Sequence, residues 1–369
     1  MAGRIGRLVG VVFVVSLVSF FLLDFVPGDP IIASLGDNLT QEEYDDARRE
    51  LGLDRPTPVR YVEWLGGAVT GDFGTSIVTP GLDVGDAVRA RLPVTIQIAL
   101  LAMVISVGLA VPLAMVSAHR AGGAADTALG SVAFAMISIP AFLLGLLLIF
   151  FVIFHPGIAR WSIVAVGLVI AAGMSVRRVS LFRSGELDSW WRSAAAPLAV
   201  VVVAALLAAF MPEFPRRGFS RLTDAGLGPN LRSAFLPALS LALTETAVFM
   251  RVLRNDLITV QSEDFVLSAR AKGMPAWWVM CRHALRPASL SIITVAGVAF
   301  ARLLGGTVIV ETIFGLPGMG TLVVNAIRTN DYTIVQACIV VLAVSYVVVN
   351  AAVDLSYRFL DPRIGASRG

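Results

Sequence analysis

The sequence predicts an all-α fold, a polytopic transmembrane helical bundle, and three observations predict it. Hydrophobic residues make up 57% of the 369 residues and charged residues 15%. Mean hydropathy is +0.81, outside the range of soluble domains. Several nearly uncharged runs approach ~20 residues, the length that crosses a hydrocarbon core at 1.5 Å per residue. These runs are continuous and do not alternate in ten-residue segments, which selects helices over a barrel.

In chain order, the expected spans are roughly 7–26, 94–117, 129–154, 161–176, 194–211, 234–251, 289–310 and 333–355. Residues 8–23 resemble a signal-peptide core. No small-residue cleavage site follows before "VPGDP", so they read as a retained first span. The fourth run, "WSIVAVGLVIAAGMSV", is short for a full crossing and also fits a re-entrant or interfacial segment. The organisation is then an N-terminal span (1–27), an outside loop (28–93), spans two and three (94–154), a hairpin of two further spans (155–211), and a C-terminal part (212–369) carrying a polar insert at 263–288. In the outside loop, Thr40 followed by Glu43 forms a capping box, which predicts a short helix over about 41–51 stopped by Gly52.

Basic residues in short loops orient the chain. Arg4 and Arg7 precede the first span, and His119 and Arg120 follow the second. Arg177, Arg178, Arg183 and Arg192 lie between the fourth and fifth, Arg254 to Arg286 between the sixth and seventh, and Arg358, Arg363 and Arg368 at the end. Eight spans place all of these on one side, the cytoplasm, with Arg216 and Arg217 as the exception. Six spans are equally consistent; seven are not. Both termini are then cytoplasmic.

The net charge of +3 follows from this loop pattern and does not imply nucleic acid. Two cysteines, Cys281 and Cys338, signal neither a disulfide framework nor a metal site. There is no HExxH and no GxSxG, and His119, His155 and His283 are scattered. The single lysine, Lys272, is followed by Gly273 and Met274, so a Walker A loop, which needs Gly-Lys-Ser/Thr, is excluded. A chain without its own nucleotide site or catalytic constellation is left with transport, driven by an ion gradient or by another subunit.

Ionisable residues inside spans are costly and mark either a pairing or a water-filled path. Glu245 in "LALTETAVFM" and Arg302 in "VAFARLLGG" fall near the middle of neighbouring spans. Glu311, in "ETIFGLPGMG", is the third candidate for a translocation path. The structural alternative for Glu245 and Arg302 is that they pair with each other or with another subunit.

The insert 263–288 is too polar to span. "EDFVLSARAKG" reads as a short amphipathic helix ended by Gly273, and "PAWWVMCRHAL" as a second helix opened by proline. A cationic, aromatic helix–glycine–helix on the cytoplasmic face either lies on anionic lipid or docks into a groove of a soluble partner.

"ARAKG" followed by "RHALRPA" resembles the EAA loop of the membrane subunits of binding-protein-dependent ABC importers, and more narrowly the dipeptide/oligopeptide permease B-like subgroup. The likeness extends to "FFLLDFVPGDP", "LGLDRPTPVRYVEWLGGAVTGDFGTSI", "RLPVTIQIALLAMVISVGLAVPLAMVSAHR", "SIPAFLLGLLL", "LPALSLAL", "GGTVIVETIFGLPGMGTLVVNAI", "RTNDYTIVQA" and "VDLSYRFLDPRI". It covers roughly 7–154 and 210–365, in family order. Two departures stand out. Where the broad pattern places Glu-Ala-Ala, this chain has Leu267, Ser268 and Ala269. Residues 155–209 have no counterpart in the usual six-span subunit.

The resemblance implies a type I importer-like bundle of six core spans plus an inserted hairpin, working by alternating access. It implies as partners a second homologous permease subunit, two ABC ATPase subunits that bind ATP and Mg, and an extracytoplasmic substrate-binding protein, in a bacterial inner membrane. No cofactor is expected in this chain. Ala269, Ala271 and Gly273 are expected to approach the ATPase closely, with Arg270 and Lys272 at its rim and Leu285 matching the motif further on. Pro27, Gly28, Asp29 and Pro30 are expected at the outer mouth, where peptide arrives. Nickel or another small solute is the alternative cargo. An ion-coupled secondary transporter is the competing class, which would favour internal repeats and broken helices.

Overall fold

The computed structural model describes residues 2–24, 31–32, 40–50, 54–183, 190–215 and 218–360. Its helices are α1 (Ala2–Asp24), α2 (Gln41–Glu50), α3 (Thr57–Thr70), α4 (Val84–His119), α5 (Ala124–Ser138), α6 (Ala141–Leu148), α7 (Pro156–Arg183) and α8 (Trp190–Ala209). There follow α9 (Leu222–Ala225), α10 (Leu227–Gln261), α11 (Asp264–Ala271), α12 (Ala276–Val279), α13 (Leu285–Phe314), α14 (Met319–Arg328) and α15 (Tyr332–Leu360). Among the described residues, β pairing is limited to one bridge between Thr75 and Asp83.

Helices stand at all eight expected places. Five are long and apolar enough to cross a membrane: Val84–His119, Pro156–Val176, Leu227–Gln261, Ala276–Phe314 and Tyr332–Val353. A sixth is added if Ala124–Ser138 and Ala141–Phe154 count as one interrupted span; α1 and α8 contribute shorter apolar stretches, Gly10–Phe21 and Pro197–Ala209. Gly52, Arg216, Arg217, Arg363 and Arg368 lie outside the described residues.

Several boundaries differ from expectation, each for a local reason. The third span is not continuous. Ile139 is extended (φ −95°, ψ 123°) and ends α5, because the residue before a proline is driven out of the helical region and Pro140 has no N–H to continue the ladder. The second span begins ten residues early. Asp83 caps α4, its carboxylate accepting from the Asp86 N–H at 2.8 Å, and the 36-residue helix runs to His119 through Pro93 and Pro112. The capping box of α2 is present: Glu43 N–H donates to Thr40 Oγ1 at 3.3 Å, and Glu43 Oε2 accepts from Thr40 N–H at 2.8 Å. That backbone N–H holds the Glu43 carboxyl below its ordinary pKa.

The chain divides into two compact units, residues 143–236 and the remainder. In the larger unit, small residues let helices approach closely. Ala110, Ala114 and Ala118 of α4 meet Phe249, Met250, Leu253 and Leu257 of α10 and Ala284, Ala288 and Ile292 around the start of α13. A second cluster joins Val84 and Val88 of α4 to Met319 and Leu322 of α14 and to Ile334, Val335 and Cys338 of α15. The N-terminal α1 packs on α3 through aromatic rings, Phe20 lying 5.4 Å from Tyr61, with Ser16 Oγ and Tyr61 Oη 2.9 Å apart. The smaller unit contains the expected hairpin but starts earlier, at Leu143. Its α7 and α8 touch so closely that a Cβ at Gly167 would strike the Cβ of Ala204.

Gly297 is the corresponding close approach between α13 and α15, where a Cβ would run into the Val353 side chain. Gly297→Val should therefore destabilise the larger unit by about 1–3 kcal/mol, as overpacking does. A lowered unfolding temperature in detergent, absent in an exposed-site control such as Gly108→Ala, checks this.

Candidate functional site

The insert folds as two short helices separated by a left-handed glycine. In α11, the Gly273 N–H donates to Arg270 O at 2.9 Å and the Met274 N–H to Ala269 O at 3.4 Å. This pair of bonds is a Schellman closure, and Gly273 takes the φ of +77° that it needs. Pro275 then sits at the N-cap of α12, one position earlier than expected. A π-helical turn, Met280–Ala284, carries the chain into α13.

Which side chains face outward differs in part from expectation. Ala269 is buried against Val266, Val279 and Val260 of its own chain, so its small size serves internal packing. Leu285 is half-buried and packs on the core cluster around Met280 and Ala284; it belongs to the root of α13 and not to an outer surface. Arg270, Ala271, Lys272 and Gly273 are exposed, with Arg270 Nη2 donating to Gln261 Oε1 at 2.8 Å. Around them lie five exposed apolar side chains that sequence reading did not assign: Phe265, Leu267, Met274, Trp277 and Trp278, each between 36% and 58% exposed. A patch this apolar on a cationic, polar insert marks an interaction surface.

Two contacts tie this surface to the turn between α4 and α5. Trp277 lies edge-on to His119, ring centroids 6.0 Å apart. Seven residues before the end of α10, Arg254 forks onto Asp126 through Nε and Nη2, each at 2.6 Å. Asp126 also accepts from Ser117 Oγ at 2.5 Å and from the Gly122 N–H at 2.8 Å. This carboxylate is almost fully buried and its oxygens are satisfied by four donor groups. The sequence alone does not reveal it, because 128 residues separate the partners and Arg254 reads there only as a loop charge.

Deeper in the bundle, Glu245 and Arg302 pair. Arg302 Nη2 donates to Glu245 Oε1 at 2.8 Å and to Oε2 at 2.9 Å. The pair is lopsided: the Glu245 side chain is 7% exposed and that of Arg302 63%. Glu311 has a different place from the one expected. It is sealed within the chain, its Oε1 accepting from Thr95 Oγ1 and its Oε2 from the Gly320 N–H, both at 2.7 Å. Thr95 Oγ1 in turn accepts from the Met319 N–H at 2.9 Å, and a Cβ at Gly318 would collide with the carboxyl group. Glu311 thus folds back on "GLPGMG" and pins the start of α14 to α4, with no open surface to line. Near the same end of the bundle, Ser76 Oγ hydrogen-bonds Asp331 Oδ2, joining the segment before α4 to the turn before α15. Pro27, Gly28, Asp29 and Pro30 lie outside the described residues.

Comparison with known proteins matches residues 110–366 to the family described as binding-protein-dependent transport system inner membrane component, and residues 1–99 to the N-terminal domain of such components. The Sinorhizobium fredii "Probable peptide ABC transporter permease protein y4tP" is 32% identical over 361 residues, covering 97% of this chain and 97% of its own. The Escherichia coli "Probable D,D-dipeptide transport system permease protein DdpB" is 33% identical over 373 residues, covering 99% of this chain and 97% of its own.

Removing one partner of the Asp126–Arg254 fork leaves the other unsatisfied. Asp126→Asn should destabilise the larger unit by about 1.5–3 kcal/mol, the range for a hydrogen bond to a charged group. Arg254→Lys keeps the charge but not the fork and should lie between wild type and Asp126→Asn. Thermal unfolding of the three proteins in detergent gives the order.

Proposed function

Because the chain belongs to the family of inner membrane components of binding-protein-dependent transport systems, we propose that it is the membrane-spanning permease subunit of an ATP-driven importer of dipeptides or oligopeptides. The cargo reading rests on relatives named for peptide and D,D-dipeptide transport that match nearly the whole chain. The chain supplies no nucleotide chemistry of its own. ATP and Mg are held by two ABC ATPase subunits on the cytoplasmic side, and an extracytoplasmic binding protein delivers peptide to the opposite side. A second, homologous permease completes the path. Both termini are cytoplasmic, which is the side the loop arginines select.

The observation that carries the mechanism is the outward face of 263–278. A soluble ATPase that closes on ATP must push on something rigid, and a short helix locked by a Schellman closure moves as one body. Phe265, Leu267, Met274, Trp277 and Trp278 give that body an apolar anchor for a groove, and Arg270 and Lys272 give it a charged rim. Its root is tied to α4 and α5 by the Trp277–His119 contact and by the Arg254–Asp126 fork. Movement at the surface therefore reaches helices that cross the membrane, and alternating access follows.

Two measurements test this reading. Gly273 has open space for a Cβ but a φ of +77°, which L side chains reach only at about 1–2 kcal/mol. Gly273→Trp should lower ATP-driven uptake by the reconstituted complex about five- to thirty-fold while membrane insertion persists; unchanged uptake would remove the coupling role. Cys281 is exposed and Cys338 buried. A membrane-impermeant maleimide should label Cys281 in inside-out but not right-side-out vesicles, and bound ATPase subunits should slow the labelling. Labelling from the outer side would reverse the orientation.

A further inference from the structure

The lopsided pair of Glu245 and Arg302 carries more than structural glue. Both lie near the middle of membrane-crossing helices, where an unsolvated charge is costly. Two buried groups would explain a purely structural pair. Here only Glu245 is buried. Both bonds to it come from Arg302 Nη2, so the N–H of Nε and the two of Nη1 are not used by Glu245.

The surroundings say where those donors point. From Leu290 onward the exposed residues of α13 are Leu290, Thr294, Val298, Arg302, Gly305, Gly306 and Ile309. Spacings of three and four put them on one face of the helix. The opposite face, including Ile292, Ala299, Leu303, Leu304 and Val310, is buried. Gly305 and Gly306 follow Arg302 by three and four residues, and a Cβ on either would meet nothing within 4 Å. Access to the guanidinium along this face is therefore unobstructed. Hydrocarbon cannot cover three unused donors at this depth, because lipid offers them no acceptor. The face has to meet water or an acceptor group.

We infer that Arg302 is a cargo-contacting residue that takes the C-terminal carboxylate of a peptide in transit. This inference rests on the peptide-importer reading. Three features support the carboxylate. A planar guanidinium with free N–H groups matches a carboxylate in shape as well as charge. Glu245 already offsets the positive charge, so a second carboxylate is held weakly, as passage requires: a site on a path has to bind and then let go. The glycines leave helix surface uncovered beside the site, giving the peptide chain somewhere to lie. Glu245 is the positioning residue, fixing the guanidinium while remaining sealed from cargo.

The test uses the complete transporter in proteoliposomes, with both permeases, the ATPase subunits and the binding protein. ATP-driven uptake of one short peptide is compared with uptake of the same peptide carrying a C-terminal amide, for wild type, Arg302→Gln and Arg302→Lys. Whatever preference the binding protein has is common to all three, so the change in the acid-to-amide rate ratio reports Arg302. The ratio should fall about tenfold in Arg302→Gln, the range for losing one charge-assisted hydrogen bond, and less in Arg302→Lys. An unchanged ratio overturns the assignment, even if both rates drop together. So does loss of the second permease on purification of Arg302→Gln, which would make Arg302 a subunit contact. If the wild-type complex imports neither peptide, the peptide reading fails and this inference falls with it, an outcome visible without any variant.

Discussion

Inside a bilayer no water is present to satisfy a polar group, and an unpaired one costs several kcal/mol. A chain that is 57% hydrophobic still keeps carboxyl groups in its interior, and three of them are met from within. Glu311 is met by Thr95 and by the backbone of α14, Asp126 by Arg254, Ser117 and Gly122, and Glu245 by Arg302. These bonds join elements distant in sequence: α4 to α13 and α14, α5 to α10, α10 to α13. Alanine-rich faces let the helices approach, but such faces slide past one another at little cost. The polar pairs fix which residue meets which.

How much of this was legible in the sequence depends on how far apart the partners stand. Local signals were readable: Thr40 and Glu43 are three residues apart and form the box they predict, and Gly273 closes α11 in the conformation glycine permits. Hydropathy located the helices, because the bilayer acts on each run separately. It located their ends poorly. Polar residues such as Asp83 to Arg91 extend α4 through a cap that hydropathy does not register, and Pro140 breaks a run that hydropathy treats as uniform. Long-range pairs were readable only where an ionisable residue stood out against apolar neighbours, as with Glu245 and Arg302. Asp126 and Arg254 lie near helix ends, where charges are ordinary, and nothing in either neighbourhood pointed to the other.

The same reasoning separates the three carboxyl groups by role. A carboxylate with both oxygens satisfied and no exposed partner, as Glu311 and Asp126 have, fixes geometry. Glu311 sits under a tight turn, where Gly318 and Gly320 leave room that a Cβ would fill, so the turn and the carboxyl were shaped together. Both oxygens of Glu245 are met as well, through Arg302 Nη2 alone, but that partner is not itself satisfied. Arg302 faces open space from a membrane-buried helix, and that asymmetry marks the only one of these three sites with chemistry left over.

One helix connects these features. Glu245 and Arg254 both lie on α10, nine residues and about 14 Å apart along the axis at 1.5 Å per residue, and α10 ends only two residues before α11 begins. The intramembrane pair, the buried fork and the surface proposed to meet the ATPase therefore share one rigid element or its direct extension. A rotation or tilt imposed on α11 cannot stay local, because Arg254 carries it to α5 and Glu245 carries it to Arg302. Packed elements joined by short ionic contacts switch between discrete arrangements and do not deform smoothly. On the proposed reading, ATP binding outside the membrane would then change the position of the residue that meets the cargo inside it.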